Sequence, residues 1–244
     1  MTRTLFDPRS TIPFALSRSG LELFTNCLRC FYFDKRLGHS RPPSFPFTLN
    51  NAVDALLKRE FDVYRERREP HPLMTQAGID AVPFAHPSLE TWRNNRAGIR
   101  FTHTPSLFDV YGAVDDVWQL TNGELIIVDY KATAKAPEVN ELNEPWHDAF
   151  KRQIAIYQWL FRRNGFPVSA TAYLVYANGD VTAARFDQTL RFRMTVIPYT
   201  CSDDWVEPRI MDARYCLMQD APPPPAEECK FCSFAESRST YAAP

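Results

Sequence analysis

The stretch ELIIVDYKATA, Glu124 to Ala134, constrains this chain more than any other. Leu125, Ile126, Ile127 and Val128 form an uninterrupted apolar run, the pattern of a strand covered on both faces. The run ends on Asp129 and Lys131, two charges that are costly to bury without partners. On a strand they lie two positions apart and point to the same face. Upstream, Asn122-Gly123 is a strong hairpin signal. The segment FDVYGAVDDVWQL therefore reads as the paired strand, and it brings Asp115 to the same sheet edge. Carboxylate oxygens are hard ligands that suit Mg²⁺ or Mn²⁺. A lysine beside such an ion can position or activate a water and offset charge developing on a phosphate. The alternative reading of Asp129 and Lys131 is an ordinary ion pair at a solvated strand end.

Helices on both sides are expected to cover this sheet. Residues 1–15 read as an arm. LSRSGLELFTNCLRCFYFDKRLG reads as one helix, capped by Ser17 or Ser19, with Leu21, Phe24, Leu28 and Phe31 on its apolar face. After the proline-rich break HSRPPSFPF, the stripe Leu49, Ala52, Val53, Leu56, Leu57, Phe61 and Tyr64 marks a second helix. Residues 71–100 read as irregular, with a short helix around PSLETWRNN. A helix runs through WHDAFKRQIAIYQWLFRRNG and is stopped by Gly165. A second hairpin is expected in SATAYLVYANGDVTAARF, turning at Asn178-Gly179-Asp180. A last helix is expected over 203–218, followed by the stiff spacer APPPPAEE. Helices, strands, helix and strands in that order imply an α/β or α+β core with a mixed sheet.

Composition bounds the function without naming it. With 244 residues and 45% hydrophobic content, a packed core is expected. A net charge of -1 argues for no particular partner, and a nucleic-acid binder of this kind would need local basic patches. No run approaches a membrane span, and the first residues lack the apolar core of a signal peptide, so a cytoplasmic protein is expected. No phosphate-binding G-x-x-x-x-G-K-[ST] loop and no G-x-S-x-G nucleophile elbow are present.

The motifs GAVDDV, IIVDYKA and QIAIY, in that order, resemble the PD-(D/E)XK nuclease superfamily. The resemblance is specifically to its RecB-like branch, which includes CRISPR adaptation exonucleases. The resemblance runs from about Leu16 to Phe234 and implies a restriction-endonuclease-like α/β fold with a mixed central sheet flanked by helices. It implies that Asp115 and Asp129 bind the divalent metal, with the carbonyl of Tyr130 often a further ligand. Lys131 matches the catalytic lysine, and Gln153 and Tyr157, at i and i+4 on a helix face, match the helix motif. The branch often carries a metal-binding histidine on the early helix. Here Asp54 takes that position, as a third acid ligand or as a solvated partner of Lys58.

Six cysteines in an intracellular chain read as thiols or metal ligands rather than disulfides. Cys27-x-x-Cys30 and Cys229-x-x-Cys232 together suggest one four-thiolate site, which would close a loop of about 200 residues. Cys201 and Cys216 fit no ligand spacing. The resemblance implies a 4Fe–4S cluster, although related nucleases supply one front cysteine and three rear ones where this chain supplies two and two. Zn²⁺ is the alternative ion, and the absence of glycine after either pair turns the preference to the cluster. Free buried thiols are the third reading.

These readings divide the chain into the arm 1–15, a nuclease-like domain 16–220, and a spacer with its Cys-x-x-Cys segment, 221–244, packing back on the front cysteine helix. The implied activity is metal-dependent hydrolysis of DNA phosphodiesters, exonuclease-like on single-stranded or end-containing DNA. Other subunits of a repair or defence complex are possible partners, and no membrane is expected. The competing function is a catalytically silent nucleic-acid-binding or assembly module.

Overall fold

The structure, a computed structural model, describes residues 4–135 and 139–239. The first three residues of the expected arm and the last five of the cysteine segment lie outside the described residues. In chain order the elements begin with β1 (Phe14–Ser17), α1 (Arg18–Asn26), α2 (Leu28–Tyr32), α3 (Thr48–Arg67), α4 (Pro72–Gln76), β2 (Ala81–Pro83) and α5 (Leu89–Trp92). They continue with β3 (Ile99–His103), β4 (Phe108–Gly112), β5 (Asp116–Leu120), β6 (Leu125–Thr133) and α6 (His147–Arg163). The last are β7 (Thr171–Gly179), β8 (Phe192–Thr200), α7 (Val206–Met218) and α8 (Lys230–Ser239).

The chain divides into two compact units, and it crosses between them several times. The first comprises Met1–Phe45, Arg100–Tyr111 and Asp204–Pro244. Its sheet has the order β1-β4-β3, with β1 and β4 parallel. Phe6, from the segment expected to be an arm, is buried with its ring 5.6 Å from that of Phe14 and 6.2 Å from that of Phe108. Ser17 caps α1, its Oγ accepting from the Gly20 N–H at 3.0 Å. The single front helix of the sequence reading is broken: Cys27 is extended (φ −167°, ψ 112°) between α1 and α2. The apolar period runs on through that break, which is why it leaves no mark in the pattern.

The second unit comprises Pro46–Ile99 and Gly112–Asp203 and holds a mixed sheet of order β2-β5-β6-β7-β8. β5 and β6 form the antiparallel hairpin expected from Asn122-Gly123, with Trp118 opposite Ile126 and Gly123 at φ +88°. β6 and β7 run parallel, which explains why the apolar run of β6 is covered on both faces. On one face Val53, Leu57 and Phe61 of α3 pack with Trp118, Ile126, Val128 and Tyr130. Strand alternation turns Ile127, Asp129 and Lys131 to the other face, where α6 lies against β6. The expected mixed sheet flanked by helices is therefore the architecture of this unit.

Three local expectations are corrected. The strand expected through residues 108–120 is two strands, because the backbone leaves the ladder between Gly112 and Asp116. There Gly98, at φ +62°, approaches so closely that a Cβ would stand 2.4 Å from the Gly112 carbonyl oxygen. The hairpin expected at Asn178-Gly179-Asp180 pairs β7 with β8 instead, Gly179 opposite Phe192, and Val181 and Phe186 of the intervening loop are exposed. On α3, Leu49 and Leu56 point to solvent and the buried stripe continues to Arg65. Among the described residues no helix is long and apolar enough to cross a membrane.

Candidate active site and candidate metal centre

Asp129 is 1% exposed, and the packing that buries it also supplies its partners. From α6, Gln153 donates from Nε2 to Asp129 Oδ1 at 2.7 Å and to the Tyr157 hydroxyl at 3.2 Å. The i, i+4 spacing of Gln153 and Tyr157 makes that chain of contacts possible. The Lys131 ammonium forms an ion pair with Asp129 Oδ2 and lies over the Phe150 ring, 4.4 Å from its centroid. Asp129, Lys131, Gln153 and Tyr157 thus come together in the structure.

Asp115 stands one residue before the paired part of β5, whose last pair is Asp116 with Val128. Freed from the ladder, its Oδ2 accepts from the Tyr130 backbone N–H at 2.9 Å. Its Oδ1 faces the Lys58 ammonium at 3.4 Å, and the same ammonium binds Asp54 Oδ2 at 2.8 Å. The i+4 partnership of Asp54 and Lys58 is therefore real, and Lys58 also bridges to Asp115. Asp54 Oδ1 is buried with no hydrogen-bond partner. Burial pushes the Asp54 carboxyl up, and the charge of Asp115 adds to it. Burial works against the Lys58 charge, but Asp115 and Asp54 hold its pKa above the ordinary lysine value.

Among the described residues the four cysteines are the set of three or more metal-type ligands whose atoms all lie within 4.8 Å of one another. Asp54, Asp115 and Asp129 are more loosely arranged. Asp54 comes from α3 and Asp129 from β6, and each acid has an ammonium partner. Carboxylate oxygens suit a hard divalent ion, and Asp54 Oδ1 is buried with no hydrogen-bond partner.

The sequence reading missed the group behind Asp115. Asp116 is fully buried, and Arg65, Arg93 and the Tyr130 hydroxyl all converge on it. Arg93 reaches Asp116 at 3.0 Å, Asp62 at 2.9 Å and the Asp115 carbonyl oxygen at 3.2 Å. Arg65 forms ion pairs with Asp62 and Asp116. A buried arginine on the apolar stripe of α3 was the available signal. At the start of α6, His147 is 1% exposed, and its Nδ1 accepts from the Glu144 N–H at 3.1 Å.

In the other unit the four predicted cysteines meet. The Sγ separations are 3.8 Å for Cys27–Cys232, 3.6 Å for Cys30–Cys229 and 3.5 Å for Cys30–Cys232. All four are buried, with Leu23 and Ala226 packed against them. Burial opposes the Cys27 thiolate, yet the Ala226 N–H and neighbouring groups bring it down to about 6. Burial drives the Cys30 thiol up, and burial together with the neighbouring thiols drives Cys232 up. Cys201 and Cys216 lie apart from this set, as their spacing suggested.

No curated protein matches the chain. Among solved structures, the one described as "Crystal structure of SSO0001" matches at 21% identity and a TM-score of 0.30, over 53% of this chain and 50% of that one. The chain thus spans about half the length of that protein. The family model of the PD-(D/E)XK nuclease superfamily matches residues 15–237, and the chain belongs to that superfamily.

Proposed function

We propose that this nuclease-superfamily protein is a Mg²⁺- or Mn²⁺-dependent deoxyribonuclease of the RecB-like kind, degrading single-stranded or end-containing DNA. The observation that carries the proposal is the convergence of Lys131, Gln153 and Tyr157 on Asp129, with Asp115 held one strand away on the Tyr130 amide. An ordinary ion pair at a solvated strand end needs no buried carboxylate, and Asp129 is 1% exposed.

Asp115, Asp129, Asp54 and the Tyr130 carbonyl are the groups that would hold the divalent ion. When bound, such an ion polarises the scissile phosphate and lowers the pKa of the attacking water. Lys131 supplies a fixed positive charge beside that position and can orient the nucleophilic water or offset charge on the phosphate. Gln153 fixes the orientation of Asp129, and Tyr157 braces Gln153. Lys58 holds Asp54 and Asp115 in register. The four-thiolate centre is structural, tying together segments at the two ends of the sequence. In this reading the enzyme is cytoplasmic and serves a repair or defence pathway, alone or with partner subunits.

The test is a cleavage assay on labelled linear and circular single-stranded DNA, and on duplex DNA, with Mg²⁺, Mn²⁺ or EDTA. Metal-dependent loss of linear DNA with circular DNA intact is the expected result. Protein that binds these substrates and leaves all of them whole would make it a silent nucleic-acid-binding module.

A further inference from the structure

The spacing of the four sulfurs is itself informative about what they hold. A tetrahedral ion with metal–sulfur bonds of about 2.3 Å sets its sulfurs about 3.8 Å apart. The separations of 3.5, 3.6 and 3.8 Å match that figure, and all four atoms lie within 4.8 Å of one another. In a four-iron cluster each thiolate binds a different iron. Its sulfurs must then be farther apart by an iron–iron edge, on the order of 2–3 Å more. The arrangement is too tight for that cluster. The 4Fe–4S group that the family resemblance implies does not fit these residues as they stand.

We propose that the centre holds a single zinc ion, with Cys27, Cys30, Cys229 and Cys232 as its four ligands. Four soft thiolates in a tetrahedron select zinc once a cluster is ruled out by size. All four positions are filled by protein, which is the form of a structural site and leaves no place for a catalytic water. Four thiolates around a divalent ion leave a net charge of minus two, and the surroundings provide for it. The Ala226 N–H points at Cys27 Sγ at 3.5 Å, and Arg41 donates from Nη2 to Cys229 Sγ at 3.4 Å. Arg41 is held there by the face of Phe231, 4.5 Å from the ring centroid. Arg41 is therefore an outer partner of the centre. Such partners typically change metal affinity by about 10–100-fold when removed.

The proposal is independent of the nuclease reading, and its test does not use catalysis. The full chain would be expressed in medium replete in iron and zinc, purified without oxygen, and analysed for metals and acid-labile sulfide. One zinc per chain, no sulfide and no visible absorption are expected. Four irons with four sulfides, a single iron, or no metal would each overturn the assignment. Replacing the ion in wild-type protein with Co²⁺ should give the intense visible bands of tetrahedral cobalt thiolate, and their absence would count equally against it. Arg41→Gln should release zinc to a chromogenic chelator about 10-fold faster. An unchanged rate would remove Arg41 from the site.

Discussion

Asp115 and Asp116 are adjacent in the chain, and Tyr130 holds both of them. Its backbone N–H donates to Asp115 at 2.9 Å, and its hydroxyl donates to Asp116 at 2.7 Å. The first acid faces Lys58 and the candidate metal position, while the second is sealed among Arg65, Arg93 and the Tyr130 hydroxyl. The position of Asp115 therefore depends on the ionic group behind it.

That dependence predicts the behaviour of Asp116→Ala. Removing one partner of a buried ion pair leaves uncompensated charge and costs about 3–5 kcal/mol. Arg65 and Arg93 both lose a fully buried carboxylate here. Urea unfolding should show a fall in that range, whereas substitution of the exposed Glu90 partner of Arg93 should cost under about 1 kcal/mol.

Gln153→Ala should act on Asp129 without removing a ligand. Losing the 2.7 Å hydrogen bond frees the carboxylate to reorient, so the Mn²⁺ concentration for half-maximal cleavage should rise about 10–100-fold. Tyr157→Phe, which removes a hydroxyl that accepts from Gln153 and leaves the Gln153–Asp129 bond in place, should change it less. A titration of initial rate against Mn²⁺ concentration separates the two.

His147 sets a pH dependence of stability. Burial lowers its pKa below the ordinary histidine value of 6.5, so the folded state favours the neutral ring. The stabilisation is complete above the unfolded value and is lost as pH falls through 6.5 towards the lowered one. Protonation would also remove the Nδ1 acceptor that holds the Glu144 N–H. Denaturant midpoints should therefore fall for the wild type as pH falls below that window's upper edge, and the slope should flatten in His147→Gln.

Much of this was legible in the residues because it is local. The apolar run ending in Asp129 and Lys131, the Asn122-Gly123 turn, and the i, i+4 pair Gln153 and Tyr157 each carry their own periodicity or turn chemistry. What escaped depends on distant partners. The buried group of Asp116 with Arg65 and Arg93 joins residues far apart in the chain. The partner of β7 was misplaced because Val181 and Phe186 read as strand residues, although both are exposed on a loop. The break at Cys27 was hidden because the pattern of Leu21, Phe24, Leu28 and Phe31 continues across it.

The central claim is that Lys131 and Asp129 are catalytic machinery and not a structural ion pair. Lys131→Ala measures this most directly, with single-stranded DNA cleavage in Mn²⁺ and DNA affinity read on the same preparation. Loss of the positioned amine should lower the cleavage rate by about 10²–10⁴-fold, with DNA affinity nearly unchanged. Cleavage by Lys131→Ala at the wild-type rate would contradict the account.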